Sequence, residues 1–72
     1  MLDEKQGIVD EMEDEGFYLV DQLGDELYFG TNTGEADDEY LDLAYEIASM
    51  YAAVKVYDAY HEGEECVVVE LI

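Results

Sequence analysis

The stretch from Glu35 to Ala52, EADDEYLDLAYEIASMYA, constrains the fold more than any other part of the chain. Apolar residues recur in it at steps of three and four, the spacing that places side chains on one side of an α-helix. This predicted buried side consists of Tyr40, Leu43, Ala44, Ile47, Ala48 and Tyr51. The pattern therefore predicts one amphipathic helix over the stretch, with Thr33 as its N-cap.

The opposite side of this predicted helix is a row of carboxylates without an intervening Lys or Arg. Its members are Glu35, Asp37, Asp38, Glu39, Asp42 and Glu46. At about 1.5 Å of rise per residue the row spans about 16 Å, or about one charge per 3.3 Å, and a DNA strand carries one phosphate per roughly 3.4 Å of axis. The ordinary alternative is a solvated helix face. Like charges one turn apart cost about 0.2–0.5 kcal/mol per pair, however, so we interpret the charge as functional.

The same imbalance extends over the whole chain and limits its partners. The 72 residues include 21 Asp and Glu against 2 Lys and Arg, which gives a net charge of −19. Two lysines cannot neutralise a phosphate backbone, so direct nucleic-acid binding is excluded. An anionic membrane surface would repel the chain, and no apolar run is long enough to span a bilayer. Because 50% of the residues are hydrophobic, we expect one small folded domain under self-repulsion, not a disordered chain.

A first helix is predicted from Leu2 to Glu15, with a narrow apolar stripe of Ile8, Val9 and Met12. Gly7 weakens it by about 1 kcal/mol, and Gly16 supplies a C-terminal stop. Acidic residues crowd its C-terminal end, where the helix dipole disfavours them. Those expected to form a second acidic row, if this helix lies beside the other, are Asp10, Glu11, Asp14 and Glu15.

Four stretches have the two-residue period of β-strands. FYLVDQL and ELYFGTNT flank Gly24-Asp25, a pair that favours a tight hairpin, and AVKVYDAY and EECVVVELI flank a turn through His61-Glu62-Gly63. The order is helix, strand, strand, helix, strand, strand. It predicts an α+β two-layer fold, in which a four-stranded antiparallel sheet carries both helices on one face.

The other face of the predicted sheet is unusually aromatic. The alternation places Tyr18, Tyr28, Tyr57 and Val68 on it. Ordinary cross-strand pairing explains such a face. A contact surface is the functional alternative, because Tyr is enriched among the residues that dominate binding energy at interfaces.

No pattern in the sequence indicates an enzyme, a cofactor or a metal centre. The chain lacks the common nucleophile, phosphate-loop and CxxC motifs. The only histidine, His61, falls in a predicted turn, where we expect an exposed imidazole without a special role. Cys66 lies in a strand-like context typical of an inert thiol and excludes an internal disulfide. The helix acids lack the spacing of a calcium loop, so we expect only diffuse, weak cation binding.

Small size, extreme acidity and an α+β pattern together resemble the DNA-mimic proteins of bacteriophages and mobile elements. These include anti-CRISPR proteins, anti-restriction proteins and uracil-DNA glycosylase inhibitors. The resemblance is one of composition and charge layout, and no family motif carries over residue by residue. It implies a viral inhibitor in the host cytoplasm, monomeric or a small homo-oligomer, that occupies the DNA-binding surface of a basic host protein.

On this hypothesis the two acidic rows imitate phosphates, and nearby Tyr side chains provide desolvated anchors. The expected partner-binding residues are Glu35, Asp38, Glu39, Asp42, Glu46, Asp10, Glu11, Asp14, Glu15, Tyr18, Tyr28 and Tyr57. An RNA-guided CRISPR nuclease complex is the first expected target, followed by a glycosylase or a restriction enzyme. Two alternatives stay open: a halophilic protein whose acidity serves solvation in molar salt, and an antitoxin-like acidic module for a dedicated basic partner.

Overall fold

A computed structural model describes residues 4–72. The elements are α1 (Glu4–Asp14), β1 (Tyr18–Leu23), β2 (Glu26–Gly30), α2 (Asp38–Ser49), β3 (Val54–His61) and β4 (Glu64–Leu71). The four strands form one antiparallel sheet in the order β1-β2-β4-β3. The predicted α+β fold with a four-stranded antiparallel sheet is therefore confirmed. The predicted start of the first helix at Leu2 lies outside the described residues.

The core lies between the sheet and the two helices. Ile8 and Met12 of α1 and Ala44, Ile47 and Ala48 of α2 pack against the inward side chains of the sheet. The buried sheet residues in this core include Leu27, Phe29, Val54, Val67 and Val69. The outward strand residues alternate with these, so the helices and the outward tyrosines occupy opposite faces of the sheet.

Local hydrogen bonds fix the C-terminus of α1 and the N-terminus of α2. Gly16, with φ of +98°, follows α1, and the backbone N–H of Phe17 bonds to the carbonyl of Met12 at 3.0 Å. This arrangement is the glycine stop predicted from the sequence. The N-cap of α2 is Asp37, whose carboxylate accepts the backbone N–H of Tyr40. The predicted N-cap, Thr33, was wrong, because its hydroxyl instead accepts the N–H of Glu35 within the preceding loop.

The register of β1 against β2 contains one irregularity that matters for the outward face. Leu19 pairs with Phe29, but Asp21 pairs with Tyr28, so Val20 is an extra residue in β1. Without this bulge, Asp21 would point to the same face as Leu19. With it, Asp21 points to the outward face beside Tyr28.

Gly7 has a packing role that offsets its poor helix propensity. A Cβ at this position would lie 2.6 Å from Cε1 and 2.9 Å from Cδ1 of Tyr51. The ring of Tyr51 therefore lies directly on the backbone of α1, next to the carboxylate of Glu11. Burial, followed by that carboxylate, raises the pKa of Tyr51.

We expect Gly7→Ala to destabilise the protein by about 1 kcal/mol, because overpacking against Tyr51 outweighs the gain in helix propensity. In a Tyr51→Ala background the same change is expected to stabilise by about 1 kcal/mol, since the propensity gain then stands alone. Urea unfolding of the four proteins in a double-mutant cycle measures this coupling. An effect of equal sign and size in both backgrounds would contradict the contact.

Candidate functional site

The acids of α2 form an exposed row on the side of the helix away from the core. Asp38, Glu39, Asp42 and Glu46 are all exposed. At about 100° per residue they fall within an arc of about 100° and span about 12 Å of axis. Glu35 does not belong to this helical row: it lies in the loop before Asp37, where its carbonyl accepts the Thr31 hydroxyl at 2.7 Å. The helical row therefore lacks Glu35 and Asp37, the first two acids of the predicted row.

The acids of α1 lie beside this row, as required for a second row. Asp10 and Asp14 are exposed, Glu11 is half-buried, and Glu15 follows the last residue of the helix. An open groove of about 500 Å³ lies between the C-terminal parts of the two helices. Its lining residues are Glu11, Glu15, Leu43, Glu46, Ile47, Ser49 and Met50. The structure therefore brings Glu11 and Glu15 together with Glu46 across one groove.

The groove lies where the C-terminal parts of both helices meet. α1 ends at Asp14 and α2 ends at Ser49, and neither helix has a basic residue in its last turn. Each helix C-terminus carries a partial negative charge of about half a unit from its unpaired carbonyls. Three carboxylates and two helix ends thus contribute negative potential at the same place.

Cations within the described part of the chain do not neutralise the helical acids. Across residues 4–72, the ion pairs within 4.0 Å join Lys5 to Asp25 and His61 to Asp21, and neither involves an acid of α2. Lys5 also donates to the carbonyl of Gly24 at 3.2 Å, in the turn between β1 and β2. Within residues 4–72, the exposed row of α2 has no ion pair with a cation and faces solvent as an anionic surface.

The apolar side chains next to the acidic rows are not those expected from the sequence. Met50 is 73% exposed and Tyr45 is 52% exposed, and both belong to the α2 side of the molecule. Met50 follows Glu46 by four residues and Ile47 by three, so helical spacing alone could have placed it at the groove. The predicted buried residue Tyr51 is also partly exposed, at 36%.

The three tyrosines expected to contact the partner lie on the outward face of the sheet, as the strand alternation predicts, and not beside the helical acids. Tyr28 and Tyr57 flank the buried Val68 in one cross-strand row. The ring of Tyr18 lies over Gly30, where a Cβ would come within 2.5 Å of it. Cross-strand packing thus accounts for the positions of Tyr18, Tyr28 and Tyr57, and the structure does not bring them to the helical acids.

Tyr57 is held by a charged partner on this outward face. Its hydroxyl donates a 2.6 Å hydrogen bond to Oε2 of Glu26. This bond, followed by burial, raises the pKa of Tyr57 well above the usual range. Burial, with the neighbouring acids, also raises the pKa of Tyr28.

Stability is therefore expected to fall as the pH rises above about 10, the ordinary pKa of Tyr. Unfolded Tyr57 loses a proton there that the folded residue keeps, so its contribution is complete at lower pH and is lost in alkali. Tyr57→Phe should make the free energy of unfolding less sensitive to pH between about 9 and 11. Urea unfolding across this range measures the effect, with Tyr45→Phe as the exposed control. A Tyr57→Phe profile parallel to wild type would contradict the assignment.

The sequence predicts that His61 lies in a turn. In the structure it is instead the last residue of β3. Its side chain is only 19% exposed, and its Nε2 lies 2.9 Å from Oδ2 of Asp21. Its ring packs against Tyr28 with a centroid distance of 4.5 Å. The hydrogen bond with His61 lowers the pKa of Asp21. The expectation of an unremarkable exposed imidazole was wrong, because the hairpin turn consists of Glu62 and Gly63.

Cys66 lies on the same outward face and is fully buried. Burial raises the pKa of its thiol, and the nearby carboxylates of Glu64 and Glu62 raise it further. A thiol in this environment is a poor nucleophile.

Across residues 4–72, neither helix has the length and apolar composition needed to cross a membrane. Comparisons with known protein families, with curated proteins and with solved structures find no match.

Proposed function

We propose that the protein is a DNA-mimic inhibitor, which binds the basic nucleic-acid-binding surface of a DNA-processing or defence protein and blocks access of DNA. The observation that carries the proposal is the convergence of Glu11, Glu15 and Glu46 at one groove between two helix C-termini. A merely solvated face does not require these carboxylates to converge. Their convergence raises the local electrostatic free energy, because like charges and helix C-termini repel one another.

The spacing of the carboxylates supports a phosphate-like role. The α2 row presents four charges over about 12 Å, or on average about one charge per 4 Å, against roughly 3.4 Å between phosphates along one DNA strand. The α1 acids Asp10, Glu11, Asp14 and Glu15 supply charges on the other side of the groove. Packed helices have axes about 8–10 Å apart, so a basic surface that spans two phosphate strands meets two rows here.

The floor of the groove supports binding of Arg or Lys side chains in particular. Leu43, Ile47 and Met50 provide apolar surface below the carboxylates. Arg and Lys bury their aliphatic stems on such surface and keep the charged group at the polar rim. Methionine adapts its shape to different partners. An exposed ion pair alone contributes little, so this apolar contact supplies the desolvated part of the interface.

The charge also predicts how the partner is bound. A net charge of −19 steers a basic partner at long range, so association is fast and falls steeply with ionic strength. An RNA-guided CRISPR nuclease complex is the first target to test, followed by uracil-DNA glycosylase and restriction enzymes. Each of these proteins must hold DNA against a basic surface, which is the chemistry that the acidic rows complement.

The test is a pull-down of the tagged protein from bacterial lysate at about 0.15 M salt, where screening extends over roughly 8 Å. Bound proteins are then challenged with duplex DNA. We expect recovery of a DNA-processing enzyme that DNA displaces, and inhibition of that enzyme after purification. Recovery of no such enzyme, from bait shown to be folded by circular dichroism, would overturn the proposal. A recovered partner that duplex DNA does not displace would also overturn it.

A further inference from the structure

The outward face of the sheet carries a cluster of metal-ligating side chains far from the acidic rows. One ligand atom from each of Asp21, His61 and Glu62 lies within 4.8 Å of the other two. The shortest separation joins His61 Nε2 to Asp21 Oδ2, at 2.9 Å. An imidazole between two carboxylates differs chemically from the all-carboxylate rows of the helices, because nitrogen favours transition metals over Ca²⁺ and Mg²⁺.

The topology makes this convergence unexpected. Asp21 belongs to β1 and His61 to β3, and these are the two edge strands of the sheet. Strands lie about 4.8 Å apart, so a flat sheet would separate its edges by about 14 Å. The hydrogen bond between the two side chains shows that the sheet curls over its outward face. The bulge at Val20 is also required, since it turns Asp21 toward this face.

Two further local features hold the cluster in place. The ring of His61 packs on Tyr28, with an angle of 34° between the planes. Glu62 has φ of 54°, the one positive value at a non-glycine position in residues 4–72. Hairpin turns with two positive φ values favour Asn-Gly, yet this turn is Glu62-Gly63. The backbone of Glu62 thus adopts an unfavourable conformation, and the carboxylate of this residue lies beside His61.

We propose that Asp21, His61 and Glu62 bind one Zn²⁺ ion that links the two edge strands. Ligands of tetrahedral zinc lie about 3.3 Å apart when the bonds are about 2.0 Å long. Asp21 and His61 separate slightly to reach this distance, and the exposed Glu62 carboxylate closes toward them. Water completes the coordination. Because the bound ion joins β1 to β3, it stabilises the curled sheet and raises the unfolding temperature.

The test is calorimetric titration of the chelator-treated full chain with ZnCl₂ at pH 7, in millimolar MgCl₂ that occupies weak carboxylate sites. We expect one ion per chain and a rise in unfolding temperature of at least about 5 °C at saturation. Glu62→Gln and His61→Gln should each lower zinc affinity at least tenfold. Glu62→Gln leaves the Asp21–His61 hydrogen bond intact, so it keeps the test valid if loss of that bond impairs folding.

The matched controls are Glu13→Gln, the same change at an exposed position of α1, and Asp58→Asn on β3, which removes one charge from an exposed position. Both should bind zinc as the wild type does. Three results would each overturn the proposal: several weak ions per chain, equal affinity in Glu62→Gln and Glu13→Gln, or zinc binding that magnesium abolishes.

Discussion

The double variant Asp42→Asn/Glu46→Gln is expected to bind its partner about tenfold more weakly and, at the same time, to be more stable than the wild type. Two exposed ion pairs at an interface contribute about 0.2–1 kcal/mol each, and a factor of ten corresponds to about 1.4 kcal/mol. The affinity should also depend less steeply on salt.

The stability gain follows from charge repulsion within α2. Asp42 lies one turn from Asp38, Glu39 and Glu46, and each like-charge pair costs about 0.2–0.5 kcal/mol. Glu46 also lies near the C-terminus of the helix, where the dipole disfavours it. Together these effects predict a gain of about 1 kcal/mol, or a rise of roughly 4–8 °C in the unfolding temperature of a domain of this size.

The matched control is Asp58→Asn/Glu64→Gln, which makes the same two chemical changes at exposed positions on β3 and β4. It removes the same net charge, so it tests for a general effect of charge on association. A binding titration against the purified partner measures the affinity, and thermal unfolding measures the stability. If both double variants weaken binding equally, the partner responds to net charge and the helical row is not the contact surface.

The sequence was most informative where one repeating pattern determines the outcome. The three- and four-residue spacing in α2 correctly placed Ala44, Ile47 and Ala48 in the core. It did not determine where the helix begins, because Thr33 and Asp37 are both competent N-caps. Local hydrogen bonds decided between them: the Thr31 hydroxyl donates to the carbonyl of Glu35, and the Thr33 hydroxyl accepts the N–H of Glu35 within the same loop.

The arrangement on the outward face could not be read from local pattern. Alternation placed Tyr28 and Tyr57 there correctly, but the bulge at Val20 has no sequence signal, since Val suits a regular strand equally well. The strand order β1-β2-β4-β3 depends on pairing between distant segments. Asp21 and His61 are 40 residues apart, and only the curled sheet brings them together. For these reasons the cluster with Glu62 was not predicted.

The acidic rows lie between these extremes. The sequence identifies the acids of both helices. It does not determine whether the two helices lie side by side, which a second acidic row requires. The structure meets that condition, and it adds Met50 to the groove, a position that the four-residue step from Glu46 already indicates. Tyr18, Tyr28 and Tyr57 lie on the outward face that the strand alternation predicts, so they cannot serve as anchors beside the helical acids.

Salt is expected to raise the unfolding temperature of the protein by about 10 °C or more between 0.01 M and 0.5 M NaCl, with full folding already present at 0.15 M. At 0.01 M the Debye length is about 30 Å, comparable to the longest dimension of the molecule, 34 Å. Nearly all pairs among its charges then repel one another. At 0.15 M the length is about 8 Å, so only near neighbours such as the helical acids still interact appreciably.

The shape of this salt dependence distinguishes the DNA-mimic proposal from halophilic adaptation. If a few tenths molar NaCl is enough to screen the repulsion, the unfolding temperature should rise with salt and then level off. Further salt then has no unscreened charge pairs on which to act. A halophilic protein would instead be unfolded at 0.15 M and gain structure only near molar salt. Circular dichroism melts in NaCl, repeated with the Asp42→Asn/Glu46→Gln variant, separate the two. With less repulsion to screen, that variant should gain less from salt than the wild type. An equal gain would show that repulsion within α2 is not what salt relieves.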